Sequence, residues 1–481
     1  MLVSDKFFPC SIPHAAKIVP CLTITTGLFL NSCRHAPTQP KVENLTPILN
    51  KVVIQPNANN ALSAFVKICA ENVASVEVAF GVDSLLSEHT PPVVMTADSA
   101  RILVLGLKPA TSYFMKAVAH APNGSKAGSP RFSFATAALP DDLPEFSILT
   151  NNAPTPGFVM MGLTFGGITN KGYALILNND GQIVWYRRFQ GSVIDFQQQP
   201  TGNYTVFTSA DGSPMHFYEI DRAGNILREF HASNGRDTGP HELRLFDDRY
   251  TLFGIEFREM DLTAFGGLTN ANVRGIVVEH QRDNAPPLLW RTFDHFQVTD
   301  AATDISLVGA NVNPWHGNAI DLDADGHLLV SFRNCDEITK INAQTGEIIW
   351  RWGGRNNQFA FLNDPLNGFS HQHGIRHLSN GNVILFDNGN LHTPPVSRAV
   401  EYRLDETAKT AELVWEYRHD PPLFASALGF AQRLTNGNTL ICFGTAQHLV
   451  EVDQMGMKRW DLAIANPQNF AYRAFRIASL Y

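Results

Sequence analysis

Short apolar runs separated by turn residues extend over most of the chain. From residue 44 to residue 138 these runs alternate with polar positions, as in Ala64–Ile68 and Val73–Phe80. A hydrophobic period of two predicts strands with one buried face, and several short strands at this spacing are typical of a β-sandwich. We therefore expect a small all-β domain at residues 44–138.

One corner of this segment has a recognisable order of residues. Leu107, Pro109, Thr111 and Tyr113 follow the pattern L-x-P-x-T-x-Y, which resembles the corner of fibronectin type III modules. Such modules seldom carry chemistry themselves, so we expect a spacer or packing role. The run Leu139–Pro144 is expected to link this domain to the next one.

The rest of the chain, from residue 145 to residue 481, is built from repeats. In the first repeat, a turn with Gly leads into an apolar strand that ends in an aromatic residue. These aromatic positions, about 55 residues apart on average, are Trp185, Phe230, Trp290, Trp350, Trp415 and Trp460. Four strands with loops fit this period, as in β-propeller blades. The sequence predicts a six-bladed β-propeller, with seven blades as the alternative if a degenerate one lies in the 63-residue interval between Leu227 and Trp290.

A second repeat marks where the strands turn. Turns such as Asn380-Gly-Asn382 end the first strand of a blade, which lines the propeller axis, and lead into the second strand. The starts of the first and third strands and the end of the second strand therefore lie on one face. This topology directs histidine motifs and arginines from different blades towards one axial funnel. The residues expected there are His241, His316, Asn318, Arg333, His373, Asn388, Arg398 and His448.

Each of these histidines also has an ordinary alternative role, because a single histidine in a propeller usually packs between blades. Their convergence from different blades favours a shared pocket. Several histidines with few carboxylates leave two kinds of chemistry open. One is a metal site, for which the pair His371 and His373 is a weak indication. The other is anion chemistry, with histidine as nucleophile or acid–base group and arginine as the fork for a tetrahedral oxyanion.

Composition narrows the function classes. Hydrophobic residues make up 44% of the 481 residues, which is enough for a large core. The formal net charge of −8 argues against a nucleic-acid partner held by bulk positive charge. No Walker loop, G-x-G-x-x-G motif or serine nucleophile elbow occurs at a strand–helix junction.

The N-terminus indicates export. Ile18–Leu30 is apolar but too short and broken to span a membrane, and it leads to Leu30-Asn-Ser-Cys33, which resembles a bacterial lipobox. We expect residues 1–33 to be a lipoprotein-type signal peptide and residues 34–43 to be a linker. The protein would be periplasmic and held at the outer membrane only through lipidated Cys33. The alternative is a cleaved signal of a soluble protein; in either case Cys69, Cys335 and Cys442 are expected to be free.

Several longer motifs occur in a fixed order over residues 145–481. They are Trp315-His-Gly-Asn318, Arg333, Thr345–Gly354, Phe369-Ser-His-Gln-His373, Leu385–Gly389, Ser397–Tyr402 and Tyr472–Arg476. This ordered set resembles the bacterial aryl-sulfate sulfotransferase family. The resemblance implies a six-bladed propeller enzyme of the periplasm. It also implies transfer of a sulfuryl group from a phenolic sulfate ester to a phenol through a sulfated histidine, with no nucleotide donor and no cofactor.

The resemblance also assigns roles to single residues. His448 matches the nucleophile, His373 matches the Gln-His motif and Arg398 matches the Ser-Arg motif. His241 matches the histidine of the family's His-acid motif, here within Pro240-His-Glu242. Arg398 and protonated His241 and His373 would hold the sulfuryl oxygens. The residues His316, Asn318, Arg333 and Asn388 are expected to bind the substrates, with no metal; a homo-oligomer is left open.

Two other function classes remain open on the sequence alone. The propeller could be a binding or structural lipoprotein without catalysis, or a metal-dependent hydrolase or lyase that uses the same histidines. Intact His448 and Arg398 favour the transferase, whereas a funnel blocked by Phe424 or Phe430 would favour the binding protein.

Overall fold

The computed structural model describes residues 46–165, 168–210, 212–246, 249–282, 285–465 and 468–481. The expected signal peptide, Cys33 and the 34–43 linker lie outside the described residues. The chain divides into two compact units after Ala138. Within the described ranges, no helix is long and apolar enough to cross a membrane. The helices are single turns: α1 at Thr292–His295 and 3-10 turns at Thr263–Phe265, Val298–Asp300, Arg333–Cys335 and Gly444–Ala446.

The first unit is a sandwich of two sheets. One sheet has the order β1 (Ile48–Pro56), β2 (Ala64–Glu71), β6 (Ser99–Val104). The other has the order β4 (Glu88–His89), β3 (Ser75–Gly81), β7 (Ser112–His120), β8 (Lys126–Gly128), with β5 (Val93–Val94) on β3 and β9 (Phe132–Ala135) on β7. The apolar positions of the alternating runs form the core, since Val66, Ile68, Val76 and Val78 are fully buried.

The corner anticipated from L-x-P-x-T-x-Y is present in this sandwich. The backbone N–H of Lys108 donates to the hydroxyl of Tyr113 at 2.8 Å, so the tyrosine ties the turn to its own strand, as in a tyrosine corner. The cysteines differ from expectation at one position. Cys69 on β2 is disulfide-bonded, so the expectation of a free thiol there is wrong, whereas Cys335 and Cys442 are free and buried.

The second unit forms six sheets within the described part of the chain, and the strands of each follow one another from the inner to the outer edge. The first is β36 (Asn469–Ile477), β11 (Phe158–Phe165), β12 (Ile168–Leu177), β13 (Ile183–Phe189). The second is β14 (Ile194–Gln198), β15 (Tyr204–Thr208), β16 (His216–Ile220), β17 (Ile226–Phe230). The third is β18 (Asp237–Phe246), β19 (Arg249–Met260), β20 (Ala271–Arg282), β21 (Ala285–Arg291), with β22 (Asn311–Val312) parallel to β20.

The remaining three sheets follow the same plan. The fourth is β23 (Gly317–Leu322), β24 (Leu328–Phe332), β25 (Glu337–Ile341), β26 (Ile348–Gly353). The fifth is β28 (His373–His377), β29 (Val383–Asp387), β30 (Arg398–Asp405), β31 (Thr410–Arg418), with β27 (Ala360–Leu362) parallel to β31. The sixth is β32 (Phe430–Arg433), β33 (Thr439–Cys442), β34 (His448–Val452), β35 (Lys458–Ile464), β10 (Phe146–Asn151).

Both ends of the second unit close the propeller. The C-terminal strand β36 supplies the inner strand of the first sheet, and β10 supplies the outer strand of the sixth. The inner strands β36, β14, β18, β23, β28 and β32 contact one another in sequence, and β32 returns to β36. The fold is an all-β propeller; the count of six blades remains a prediction that these described sheets support.

The aromatic residue of the first repeat lies on the fourth strand of each sheet, counted from the axis. Trp185 on β13 donates its indole N–H to the carbonyl of Arg222, and Trp460 on β35 donates to that of Asn179, at 2.8 Å in both cases. Trp415 makes the equivalent bond to Gln454 at 3.3 Å. Each acceptor lies in the turn between the third and fourth strands of the next sheet. The tryptophan therefore recurs because it fills the space between sheets and ties a neighbouring turn.

Candidate functional site

Irregular strand pairing marks the inner strands around the axis. The register breaks on β14 between Ile194 and Gln197, on β18 between Thr238 and Leu243, and on β23 between Gly317 and Ala319. It breaks also on β28 after His373 and on β36 between Ala471 and Ala474. A bulge leaves residues outside the ladder and re-aims their side chains. The residues freed in this way include Asp195, His241, Glu242, Asn318, Tyr472 and Arg473.

Three histidines meet where these strands begin. The rings of His241 and His316 lie 4.9 Å apart between centroids, and Tyr472 stacks on His241 at 5.3 Å. The ring of His373 meets the edge of Tyr472 at 6.4 Å. We call His241, His316, His373 and Tyr472 the axial cluster. The structure thus brings together three of the histidines that the sequence placed at the axis, and adds Tyr472, which the sequence indicated only as part of a terminal motif.

Amide side chains hold the axial cluster in place. Asn388 Oδ1 lies 2.7 Å from His373 Nδ1, and the Asn388 amide donates to the carbonyls of Ala425 and Leu428. The backbone N–H of Leu428 donates to His373 Nε2 at 3.3 Å. These two contacts fix a neutral tautomer with the proton on Nδ1. Asn388 is therefore a positioning residue for His373 in this structure.

Several polar atoms of this region are buried without a partner among the described residues. Two of them are His241 Nδ1 and Asn318 Oδ1. The side-chain amide N–H of Asn318 donates to the carbonyl of Gln372 at 2.8 Å, while the backbone carbonyl of Asn318 accepts from the Tyr472 hydroxyl at 3.1 Å. Buried polar atoms are nearly always bonded in native proteins. Exceptions such as these within one region indicate that it binds a polar ligand or water.

The histidines of the axial cluster are neutral. Burial lowers the pKa of His241 well below the usual range, with help from the neighbouring imidazoles and from Arg274. Burial lowers the pKa of His373 in the same way, with help from Arg333 and His316. Burial and the Arg333 guanidinium lower the pKa of His316 to about 3. His316 also has a left-handed backbone with φ of 47°, a strained conformation often found at functional sites. The protonated His241 and His373 expected to hold the sulfuryl oxygens remain a prediction about the complex with the donor.

Positive charge at this place comes from arginine. Arg333 follows β24 and donates to Asn334 Oδ1 at 2.7 Å and to the carbonyl of Ser426 at 3.1 Å. It acts electrostatically on both His316 and His373. Arg274 on β20 acts in the same way on His241 and His316. The sequence reasoning missed Arg274, although its place near the start of a third strand satisfies the rule that selected Arg398.

A layer of buried charges pairs within the inner strands next to the axial cluster. Arg473 lies 3.0 Å from both Asp195 and Glu242, and Arg376 lies 3.0 Å from Glu242. Burial raises the pKa of Asp195 to about 7. Phe430 packs against both guanidinium groups, so it belongs to this layer. The arginines here are matched by carboxylates and leave little charge for a ligand.

Arg398 lies in a different environment from the one anticipated. Its guanidinium is fully buried and contacts three carboxylates, those of Asp364, Asp387 and Glu416, at 2.8–3.0 Å. It also donates to the carbonyl of Gly368 at 2.7 Å. All three guanidinium nitrogens are occupied, and no described contact joins Arg398 to the axial cluster. These contacts do not match the oxyanion clamp expected of Arg398 and instead describe a structural ion network.

His448 begins β34 on the same face but belongs to a third group. Its Nδ1 lies 3.2 Å from Asp461 Oδ1, while His419 Nε2 and the ammonium of Lys458 lie 3.3 and 3.2 Å from Asp461 Oδ2. Donor atoms of His419, His448 and Asp461 lie within 4.8 Å of one another, a spacing that suits a metal ion. The Lys458 ammonium lies 2.9 Å from His419 Nε2, so a cation already stands among these donors.

The pair His371 and His373 does not form a joint ligand set. The ring of His371 lies between Asp336 at 3.1 Å and Asp304 at 3.2 Å, whereas His373 faces Tyr472 and Asn388. Of the eight residues expected at the funnel, six lie in or beside the axial cluster. Arg398 and His448 form separate groups on the same face.

Comparison with known proteins gives one family match. The family model described as "Arylsulfotransferase (ASST)" matches residues 150–473. Among curated proteins, no sequence matches the chain. A solved structure from Bacteroides caccae is 15% identical over 68% of this chain and 100% of that chain, with a TM-score of 0.42. Virginiamycin B lyase from Staphylococcus aureus is 13% identical over 66% and 88%, with a TM-score of 0.34. Similarity this low says nothing about function.

Proposed function

The chain belongs to the arylsulfotransferase family, and from that premise we propose that it moves a sulfuryl group from a phenolic sulfate ester to a phenol. The observation that carries this proposal is the axial cluster: neutral histidines lie beside Arg274 and Arg333, away from the carboxylates that occupy Arg398. An anion gains from such cationic groups, and a sulfate ester is an anion.

We assign the covalent step to His448, and its surroundings support that role. Because Asp461 accepts the Nδ1 proton at 3.2 Å, the lone pair of the imidazole stays on Nε2. No hydrogen bond joins Nε2 to another residue in the described ranges, and the side chain is 19% exposed. A carboxylate behind one ring nitrogen orients the other for attack, as in other histidine-dependent transferases and hydrolases.

The reaction then has two balanced steps. In the first, His448 Nε2 bonds to sulfur while the S–O bond to the aryl group breaks, and the phenolate leaves with the electron pair. In the second, the oxygen of the acceptor phenol bonds to sulfur, the N–S bond breaks, and the acceptor's proton passes to a neutral histidine. This route requires the sulfuryl group to lie between His448 and the axial cluster, where Arg333 would stabilise the sulfuryl oxygens in both transition states. The histidines would serve as neutral hydrogen-bond groups and proton acceptors.

Two measurements test this proposal. Purified protein is incubated with a chromogenic aryl sulfate, with and without phenol; release that depends on phenol supports transfer. Protein quenched with donor alone is then digested and analysed by mass spectrometry. A sulfuryl adduct on the peptide that contains His448, absent in His448→Asn, is the expected result. An adduct on His241 would keep the covalent route and move the nucleophile to the axial cluster. Transfer without any adduct would overturn the route.

A further inference from the structure

The hairpin of β19 and β20 extends past its own blade on the face of the site. The inner strand β18 pairs with β19 only up to Ile255. The hairpin continues to the pair Met260 and Ala271. Because β19 ends and β20 begins on the face where the inner strands start, this extension rises beside the axial cluster.

Arg274 lies on this extension and has no partner of its own. Its Nε is buried without a hydrogen bond, and no hydrogen bond or ion pair joins its guanidinium to another described residue. It acts electrostatically on His241 and His316, and among the described residues Asp237 offsets part of its charge. A guanidinium remains charged in proteins and offers five N–H donors. A partly buried one without a partner calls for an anion.

Phe257 stands next to Arg274. The two residues are direct partners across β19 and β20, so their side chains project from the same face of the sheet. Phe257 is 52% exposed, although an aromatic ring of its size normally buries most of its surface. An exposed aromatic ring and a guanidinium without a hydrogen-bonded partner among the described residues therefore stand side by side, and the guanidinium acts electrostatically on His241 and His316.

We infer that Arg274 and Phe257 form the subsite for the aryl sulfate donor, with the guanidinium on the sulfate oxygens and the phenyl ring against the aryl ring. This inference rests on the proposed function for the identity of its ligand. An aryl sulfate combines an anion and an aromatic ring one bond apart, which is the combination presented here. The bidentate geometry of arginine suits two oxygens of one sulfate.

The test measures binding without turnover. An aryl sulfonate keeps the ring and the anionic head but has a C–S bond in place of the ester, so it cannot transfer its sulfuryl group. Calorimetric titration of the whole protein with this sulfonate, and separately with inorganic sulfate, gives two dissociation constants. The variants are Arg274→Gln, Arg274→Lys and Phe257→Ala.

Matched controls come from the same hairpin. Arg258→Gln removes a guanidinium that pairs with Glu256 and Asp294 at 3.6–3.7 Å and packs on Phe293. Phe265→Ala removes another exposed ring, 44% exposed, at the hairpin tip. Neither residue belongs to the pair of Arg274 and Phe257. Both control variants are therefore expected to bind the sulfonate with the dissociation constant of the parent protein.

The expected pattern separates the two halves of the subsite. Arg274→Gln should weaken both ligands about tenfold or more, since it removes a charged hydrogen-bond donor. Arg274→Lys should restore part of the loss. Phe257→Ala should weaken the sulfonate about threefold to tenfold and leave inorganic sulfate unchanged. Unchanged sulfonate binding in Arg274→Gln, or equal losses in Arg258→Gln, would overturn the assignment. If the sulfonate binds through Arg274 but no aryl sulfate is ever turned over, the subsite stands and the proposed function fails.

Discussion

Arg398 and Arg274 lie on the same face of the propeller, and both are near the start of a third strand. Arg398 is surrounded by three carboxylates and a backbone carbonyl, and every guanidinium nitrogen has a partner. Arg274 lies beside neutral imidazoles, and its Nε is buried without a partner. One arginine is bonded to its counterions, whereas the other has no bonded counterion among the described residues.

The difference shows that the position of an arginine on a strand does not decide its role. An arginine can bind a substrate anion only if neighbouring carboxylates have not already neutralised it. Asp364 reaches Arg398 from a loop 34 residues earlier in the chain, so the pairing depends on the folded structure. The contrast between partnered and unpartnered groups can be tested at several places in the molecule.

The largest effect is expected from Arg398→Gln, and it should fall on stability. Removing the guanidinium leaves the carboxylates of Asp364 and Asp387 buried without a counterion, which typically costs about 3–5 kcal/mol. Urea unfolding followed by tryptophan fluorescence measures this cost. All seven tryptophans lie beyond residue 180, so the signal reports the propeller rather than the sandwich.

Arg403→Gln is the matched control for this prediction. Its side chain is 64% exposed and pairs with Glu412 at the surface, so its loss should change stability by less than about 1 kcal/mol. If Arg398→Gln keeps the stability of the parent protein but loses transfer activity, the structural role of Arg398 is contradicted. Arg398 would then be a clamp for the sulfuryl group after all.

Much of the fold was accessible from the sequence because local chemistry specifies it. The aromatic positions Trp185, Trp290 and Trp460 lie on one strand of each repeat, as the spacing predicted, since an aromatic residue at a fixed place in each repeat is visible without a structure. The turns of the second repeat likewise placed His373 at the start of an inner strand and Arg333 at the end of a second strand. These assignments depend only on periodicity and turn residues.

The site was accessible only in part, because it depends on contacts between distant segments. The topology predicted that His241, His316 and His373 converge, and they do. It did not show that Arg398 is neutralised, because that needs Asp364 and Glu416 in space. Nor did it single out Arg274, which belongs to no recognised motif and matters through the absence of a partner. Nor did it show that burial lowers the pKa of His241 and His373, because burial depends on the folded structure.

The second largest effect is expected from His241→Phe, on activity rather than stability. The Nδ1 of His241 has no partner to lose, so an apolar ring of similar shape should be nearly neutral for folding. If His241 helps hold the sulfuryl group or takes the acceptor's proton, transfer should fall by about 10²–10³. Initial rates with an aryl sulfate and phenol, together with urea unfolding, check both parts.

His280→Phe provides the opposite case. His280 is buried on β20 and bonded to the hydroxyl of Thr251 at 2.7 Å, so its loss should reduce stability and leave the rate of transfer unchanged. If His241→Phe instead lost stability and activity in proportion, His241 would be a packing residue and the axial cluster would lose its functional meaning.

A smaller effect concerns pH. Because the pKa of His316 is lowered to about 3 in the folded protein, the unfolded chain binds a proton below about pH 6.5 that the folded chain does not bind. The free energy of unfolding should therefore fall as pH decreases from about 6.5 towards 3, by at most about 1.4 kcal/mol per pH unit for this histidine. Above pH 6.5 the contribution is constant.

His316→Asn tests this slope, because asparagine tolerates the left-handed backbone at this position. Urea unfolding at pH 7, 6, 5 and 4 should show a shallower loss of stability in the variant. His89→Asn, at an exposed histidine of the sandwich, should keep the parent slope. Identical slopes in all three proteins would mean that folding does not lower the pKa of His316.

The smallest effect compares two tryptophans that differ mainly in one hydrogen bond. Trp460 and Trp350 occupy the same repeat position and are almost fully buried, and each has a cation near its ring. The indole N–H of Trp460 donates to the carbonyl of Asn179 at 2.8 Å, whereas that of Trp350 is buried without a partner among the described residues.

Replacing either tryptophan by Phe removes a similar volume, so the packing losses largely cancel in the difference between the two variants. Trp460→Phe should therefore cost about 1 kcal/mol more than Trp350→Phe, the usual worth of one hydrogen bond. Urea unfolding by far-ultraviolet circular dichroism measures both variants without relying on the altered fluorophore. Equal costs would show that an unpartnered buried donor is no cheaper to remove than a bonded one in this fold, and would weaken the same reasoning for Arg274.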